Sequence, residues 1–236
     1  MGFYAEKIFP WLLDKLETPE MGEQRALVLN GVSGVVLEIG LGTGANLPYY
    51  PDDVRLLTAV EPSAAMQPRA EQRAKEAGRT ITLTQQAGER LPFEDERFDA
   101  VVITLVLCTV EDVSTVLTEA LRVLRPGGRC HFLEHVASPD PKVRKWQARL
   151  NGMNKVVGCG CNLNRDTESA IRAAGFCIDR FNRATLPGFM GKLHPLIRGV
   201  ATKPEAIGSQ NPAPLPPPPP ACDKAGPADG RAGLPG

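Results

Sequence analysis

Short β-branched apolar runs recur along the chain, separated by stretches whose apolar residues return every three or four positions. Val35–Ile39, Leu56–Val60, Ile81–Thr84, Ala100–Thr104 and Arg129–Val136 predict strands, while Ala64–Glu76 and Val113–Val123 predict helices between them. Parallel neighbours need a crossover, so this order predicts an α/β fold with helices on both faces of a mostly parallel sheet. Phe176–Asn182 and Pro195–Thr202 bring the strands to seven, and Tyr4–Leu16 and Glu20–Leu29 read as helices ahead of the alternation. No internal repeat is visible.

The pattern stops near residue 203. The 33 residues from Pro204 to Gly236 hold 10 Pro, 5 Gly and no aromatic residue, with polyproline at Pro216–Pro220. Such a segment has too little apolar surface for a core and is expected to be a disordered, polyproline-like tail. The longest apolar runs, such as Val101–Val110, fall short of the roughly 20 residues that a spanning helix needs. The N-terminal stretch lacks a basic start and a small-residue cleavage site, so no secretory signal is read there. Lys+Arg and Asp+Glu balance at 27 each, which removes any global field for nucleic acid. The six cysteines are scattered, as in a reduced cytoplasmic protein. Cys159-Gly160-Cys161 lacks a second spaced pair, so no metal is expected from it.

The strongest chemical signal is the strand Val35–Ile39 running into Gly40-Leu41-Gly42-Thr43-Gly44-Ala45-Asn46. Open α/β sheets bind ligands at such a carboxyl edge. The glycines read G-x-G-x-G, whereas a dinucleotide fingerprint would need its third glycine at Ala45, which disfavours a dehydrogenase. Glu38, two residues before the loop, suits a cationic ligand better than a phosphate, and S-adenosylmethionine carries a sulfonium and an ammonium. The second strand ends in Val60-Glu61-Pro62-Ser63, placing Glu61 where a carboxylate can accept ribose hydroxyls. Gly88-Glu89-Arg90-Leu91-Pro92-Phe93, Phe98-Asp99 and Val123-Leu124-Arg125-Pro126-Gly127-Gly128 follow in order.

Through these ordered motifs, residues 30–136 resemble the class I S-adenosylmethionine-dependent methyltransferases. Thr104-Leu105-Val106-Leu107-Cys108, Glu134-His135-Val136 and Gly160-Cys161-Asn162-Leu163-Asn164-Arg165 extend the likeness to the methyltransferase-like group that includes small-thiol methyltransferases. The resemblance implies a Rossmann-like doubly wound seven-stranded sheet with one antiparallel strand. It also implies a helical lid segment over residues 1–30 and a catalytic domain over 31–203. S-adenosyl-L-methionine would be the cofactor. Glu38 and Gly40 would face its methionine part, Glu61 the ribose, and Gly88 and Glu89 the adenine, with Gly42, Gly44, Asn46 and Pro62 also binding the cofactor and Thr104 and Leu105 closing the cleft. Many relatives carry an acidic residue where Ala87 stands, so adenine contacts fall here to Glu89 or the backbone.

A base would help to deprotonate an acceptor thiol, and His135, at the carboxyl end of its strand, is the candidate. His131 lies inside that strand, His194 precedes a proline in a loop, and Cys108 reads as a lining residue. The stretch 142–155 carries five basic residues and no acid, with Val143, Trp146, Leu150 and Met153 at helical spacing, which suits peripheral membrane contact. The expected activity is methyl transfer to a small acceptor such as a thiol. The alternatives are a quinone or phospholipid methyltransferase, and a non-catalytic cofactor-binding scaffold presenting the tail. Nothing in the pattern specifies an oligomeric state.

Overall fold

The computed structural model of the protein describes residues 2–205. From Ala206 onward, the tail read from the sequence lies outside the described residues. The chain opens with a π-helical segment, Tyr4–Ile8, that continues into α1 (Phe9–Leu16) and α2 (Pro19–Leu29). Then come β1 (Gly34–Ile39), β2 (Val54–Val60), α3 (Gln67–Glu76), β3 (Ile81–Thr84), β4 (Phe98–Thr104), α4 (Val113–Val123) and β5 (Leu124–His135). The remainder is α5 (Pro141–Val157), α6 (Thr167–Ala173), β6 (Cys177–Ala184), α7 (Gly188–Leu193) and β7 (Leu196–Thr202).

The seven strands form one sheet in the order β3-β2-β1-β4-β5-β7-β6. The pairs β1–β2, β1–β4, β2–β3 and β4–β5 are parallel, and β7 runs antiparallel to both β5 and β6. The sheet order reverses between β1 and β4, which makes their carboxyl ends a ligand-binding crevice.

Strand alternation divides the core in two. Leu37, Ile39, Val101, Ile103 and Phe132 pack with Val116, Leu117, Ala120 and Val123 of α4. On the opposite face, Val36, Ala59, Val102 and Leu133 pack with Val28 and Leu29 of α2 and Ala70 and Ala74 of α3. Successive residues of one strand serve different cores, as the pleat requires.

Several boundaries differ from the sequence reading. The helix expected from Ala64 begins at Gln67, because Met66 N–H donates to Ser63 O in a preceding turn and Pro68 fits only the first helical turn. The strand β5 begins at Leu124, and its pairing with β4 skips across Pro126-Gly127-Gly128. The helices α6 and α7 carry no strong sequence signal. Asp166 caps α6 by accepting from Ser169 N–H at 3.2 Å.

Candidate cofactor and acceptor site

The glycine loop leaves β1 at the carboxyl edge. Gly40 has φ +74°, and a Cβ there would lie 2.3 Å from Val106 Cγ2, so the close approach of the β4 edge admits glycine only. Gly42 has φ +57°, and a Cβ there would meet no atom within 4 Å, leaving an open backbone surface for a ligand. Gly40 N–H and Leu41 N–H both donate to Val60 O, at 2.9 and 3.2 Å, and Gly44 N–H donates to Leu41 O at 2.9 Å. These bonds fix the loop against β2. Glu61, at the end of β2, accepts from Gly42 N–H and Ser63 N–H, each at 2.8 Å. Burial raises its carboxyl pKa, while the two amides oppose the shift. Pro62 is exposed next to it. The open surface over Gly42, flanked by a carboxylate with spare lone pairs, fits the hydroxyl-rich end of an adenosine cofactor.

Glu38 is buried beneath this loop. Its oxygens accept from Asn46 Nδ2 and Tyr50 OH, each at 2.8 Å. Asn46 is also buried and turned inward: its Nδ2 donates to Thr104 Oγ1 at 2.9 Å, and its Oδ1 accepts from Arg25 at 2.8 Å. The Arg25 guanidinium then reaches Glu17 through two bonds of 2.9 and 2.5 Å. A polar chain therefore runs from the N-terminal helices to the loop. Desolvation pushes the Glu38 carboxyl up to about 7, with Tyr50, Asn46 and the Arg25 charge opposing it.

The strand β4 ends at Thr104, and Leu105 takes a left-handed φ of +59°. What holds this strain is Glu134 of β5, whose buried carboxylate accepts the successive N–H groups of Val106, Leu107 and Cys108 at 2.9, 2.9 and 3.1 Å. Burial raises Glu134 to about 7 against those three amides. Gly88 is buried against Ile39, and Glu89 is half-buried beside it.

Next to Glu134, His135 is half-buried, with Nδ1 3.8 Å from Cys161 Sγ and its ring edge-on to His194 at 5.2 Å between centroids. Cys108 completes the group. The two thiols perturb each other: hydrogen bonding from Cys108, helped by His135, draws Cys161 down, while the same bond and burial push Cys108 up. His194 Nε2 lies 3.1 Å from Asn154 Oδ1. His131 is elsewhere: Nδ1 lies 2.8 Å from Val28 O inside the α2 core, and burial lowers its pKa to about 4.

The fold thus gathers Glu38, Gly40, Gly42, Gly44, Asn46, Glu61, Thr104, Leu105 and His135 along one sheet edge. Arg25 and Tyr50 join them with no sequence signal, as does Glu134, to which the Glu134-His135-Val136 likeness assigns no role. Periodicity carries no signal for a polar residue whose partner is distant in the chain. Only the position of Glu134 beside the turn after β4, at the same edge, could have suggested its role.

A profile of the methyltransferase domain matches residues 37–132. The thiol S-methyltransferase TMT1B of Mus musculus is 40% identical over 183 residues, which is 74% of this chain and 74% of its own. A phosphatidylethanolamine N-methyltransferase of Cereibacter sphaeroides is 36% identical over 127 residues, 52% of this chain and 62% of its own. Among solved structures, the YcgJ protein of Bacillus subtilis superposes with a TM-score of 0.66 at 18% identity, covering 78% of this chain and 99% of that one. At that identity the superposition speaks for the fold.

Proposed function

Since the chain belongs to the class I S-adenosylmethionine-dependent methyltransferases, we propose that the acceptor of its methyl group is a small thiol. The observation that carries the acceptor class is the extent of the match. The 183 residues aligned with the thiol enzyme must extend outside residues 37–132. The match to the phospholipid enzyme is shorter.

When bound, S-adenosylmethionine supplies an electrophilic methyl group on a sulfonium. Around it, the chain's residues would position and desolvate. Glu61 would accept the ribose hydroxyls beside the open Gly42 surface. The Glu38 carboxylate, held by Asn46 and Tyr50, would stabilise the cofactor's cationic groups from beneath the loop, and a nearby cation would in turn favour its ionised form. Gly88 and Glu89 would border the adenine. The acceptor would approach from the edge where Cys108, His135 and Cys161 meet.

We also infer peripheral membrane contact through α5 and the N-terminal segment. Trp146, Met153, Val156 and Val157 are exposed on α5, Phe3 and Trp11 are exposed in the N-terminal segment, and Tyr4 OH donates to Val157 O at 2.6 Å. Basic side chains share α5 with this apolar surface. Among the described residues, no helix is long and apolar enough to cross a membrane.

The test of the acceptor is a methyl-label screen across small alkyl thiols, amines, quinones and phosphatidylethanolamine vesicles. Label is expected in a thioether product. Label in quinone or lipid with none in any thiol would overturn the reading.

A further inference from the structure

Three segments far apart in sequence bring together Cys108 after β4, His135 at the end of β5 and Cys161 after α5. Their two sulfurs and a ring nitrogen all lie within 4.8 Å of one another, with Cys161 Sγ 3.8 Å from His135 Nδ1. A tetrahedral zinc with bonds of about 2.3 Å to sulfur and about 2.0–2.1 Å to nitrogen sets such atoms roughly 3.5–3.8 Å apart. The cluster is therefore close to closing on an ion.

Bonds that need no ion hold its frame. Asn162 donates to Cys108 O from both its backbone N–H, at 2.7 Å, and its Nδ2, at 3.2 Å. Asn154 Nδ2 donates to Cys161 O at 2.8 Å, and Arg165 donates to the carbonyls of Leu107 and Val110. Gly160, with φ +105°, lets the loop approach so closely that a Cβ would lie 2.9 Å from Thr109 O. Cys108 and Cys161 are buried, and His135 is half-buried. Thiolate and imidazole donors select soft or borderline cations over magnesium or calcium. Three donors also leave a fourth tetrahedral position vacant, the arrangement of exchangeable rather than purely structural sites.

We propose that Cys108, His135 and Cys161 bind a divalent cation of the Zn2+ class, and that its fourth position takes the sulfur of a small thiol. The second half rests on the thiol-acceptor reading. In that position the thiol releases its proton to solvent and is held as a thiolate. Its sulfur then forms the new bond to the methyl carbon as the bond from that carbon to the sulfonium sulfur breaks. The electron pair stays on the cofactor sulfur, which leaves as a neutral thioether. His135 would be a ligand here rather than a base. The ligands come from separate segments, and Cys159 of the C-x-C pair is not among them, so no spacing motif announces the site.

The test is titration of the full chain, reduced and stripped by chelation, with Co2+ as the probe. One equivalent should bind with a thiolate charge-transfer band and the strong visible bands of tetrahedral cobalt, and Zn2+ should displace it. Cys161→Ser and His135→Gln should each weaken uptake by more than about tenfold, with Cys159→Ser unchanged. Calorimetry with S-adenosylmethionine verifies that the variants fold. A small alkyl thiol should alter the cobalt bands. Absence of tetrahedral cobalt, or the same spectrum in the Cys161→Ser variant, would overturn the site even if thiols are methylated. Cobalt uptake that no thiol perturbs would overturn the fourth-position assignment alone.

Discussion

Three buried carboxylates share one edge of the sheet, and their partners separate their work. Glu61 accepts two loop amides and borders the open surface over Gly42. Glu61→Gln keeps an oxygen for one of those amides, turns an NH2 toward the other and removes the charge, and is expected to weaken S-adenosylmethionine binding by ~1.5–3 kcal/mol, or about 10- to 150-fold. Unchanged affinity by calorimetry would remove Glu61 from the cofactor site. Glu134 instead holds the turn after β4, and its carboxyl is raised from 4.5 to about 7. Between those values the folded state binds more protons than the unfolded one. Glu134 therefore makes stability fall as pH rises, by on the order of 3 kcal/mol in all. Glu38 acts in the same direction, while His131, lowered to about 4, makes stability rise with pH up to its ordinary value. The comparison that isolates Glu134 is urea unfolding of wild type and Glu134→Gln at several pH values from about 5 to about 8. The fall assigned to Glu134 should be missing in the variant, and parallel curves would show that the carboxyl does not titrate there.

At the scale of elements, the strands and α4 were legible because each has one face or both in a core, and burial imposes a period. The helix α4 matches its sequence reading from Val113 to Val123, with Asp112 accepting from Ser114 N–H and Thr115 N–H at its start. The short helix α6 buries little beyond Thr167 and Ile171, too few positions to establish a period. The helix α5 is amphipathic in sequence, yet Trp146, Met153 and Val156 lie exposed and Gln147 is buried, with Nε2 donating to the carbonyls of Val136 and Leu193. Exposed apolar side chains beside lysines and arginines suit an anionic bilayer surface. Trp146→Glu with Val156→Glu should cut co-sedimentation with anionic vesicles several-fold while leaving methyl transfer to a soluble thiol intact. Equal sedimentation of the two proteins would exclude this face.

Across the whole molecule, the glycine loop, the Glu61 strand end and the order of the motifs could be read directly. Local backbone geometry and sheet-edge chemistry depend on residues adjacent in the chain. The parallel sheet followed equally, because alternating strand and helix patterns permit few other connections. What the sequence could not carry were the contacts closed across it. Arg25 reaches Asn46 over 21 residues and Thr104 over 79. Glu134 meets the turn near Val106 over 28 residues, and Cys108, His135 and Cys161 converge from three segments. The sequence by itself thus determined the fold class and the place of the cofactor loop, since periodicity and turn chemistry are local. Tertiary structure alone decided that Glu38 and Asn46 face inward, that Leu105 is held in a left-handed conformation, and that two thiols and an imidazole meet beside the turn after β4. A buried polar group takes its partner from wherever the fold brings one, and chain spacing does not record that choice.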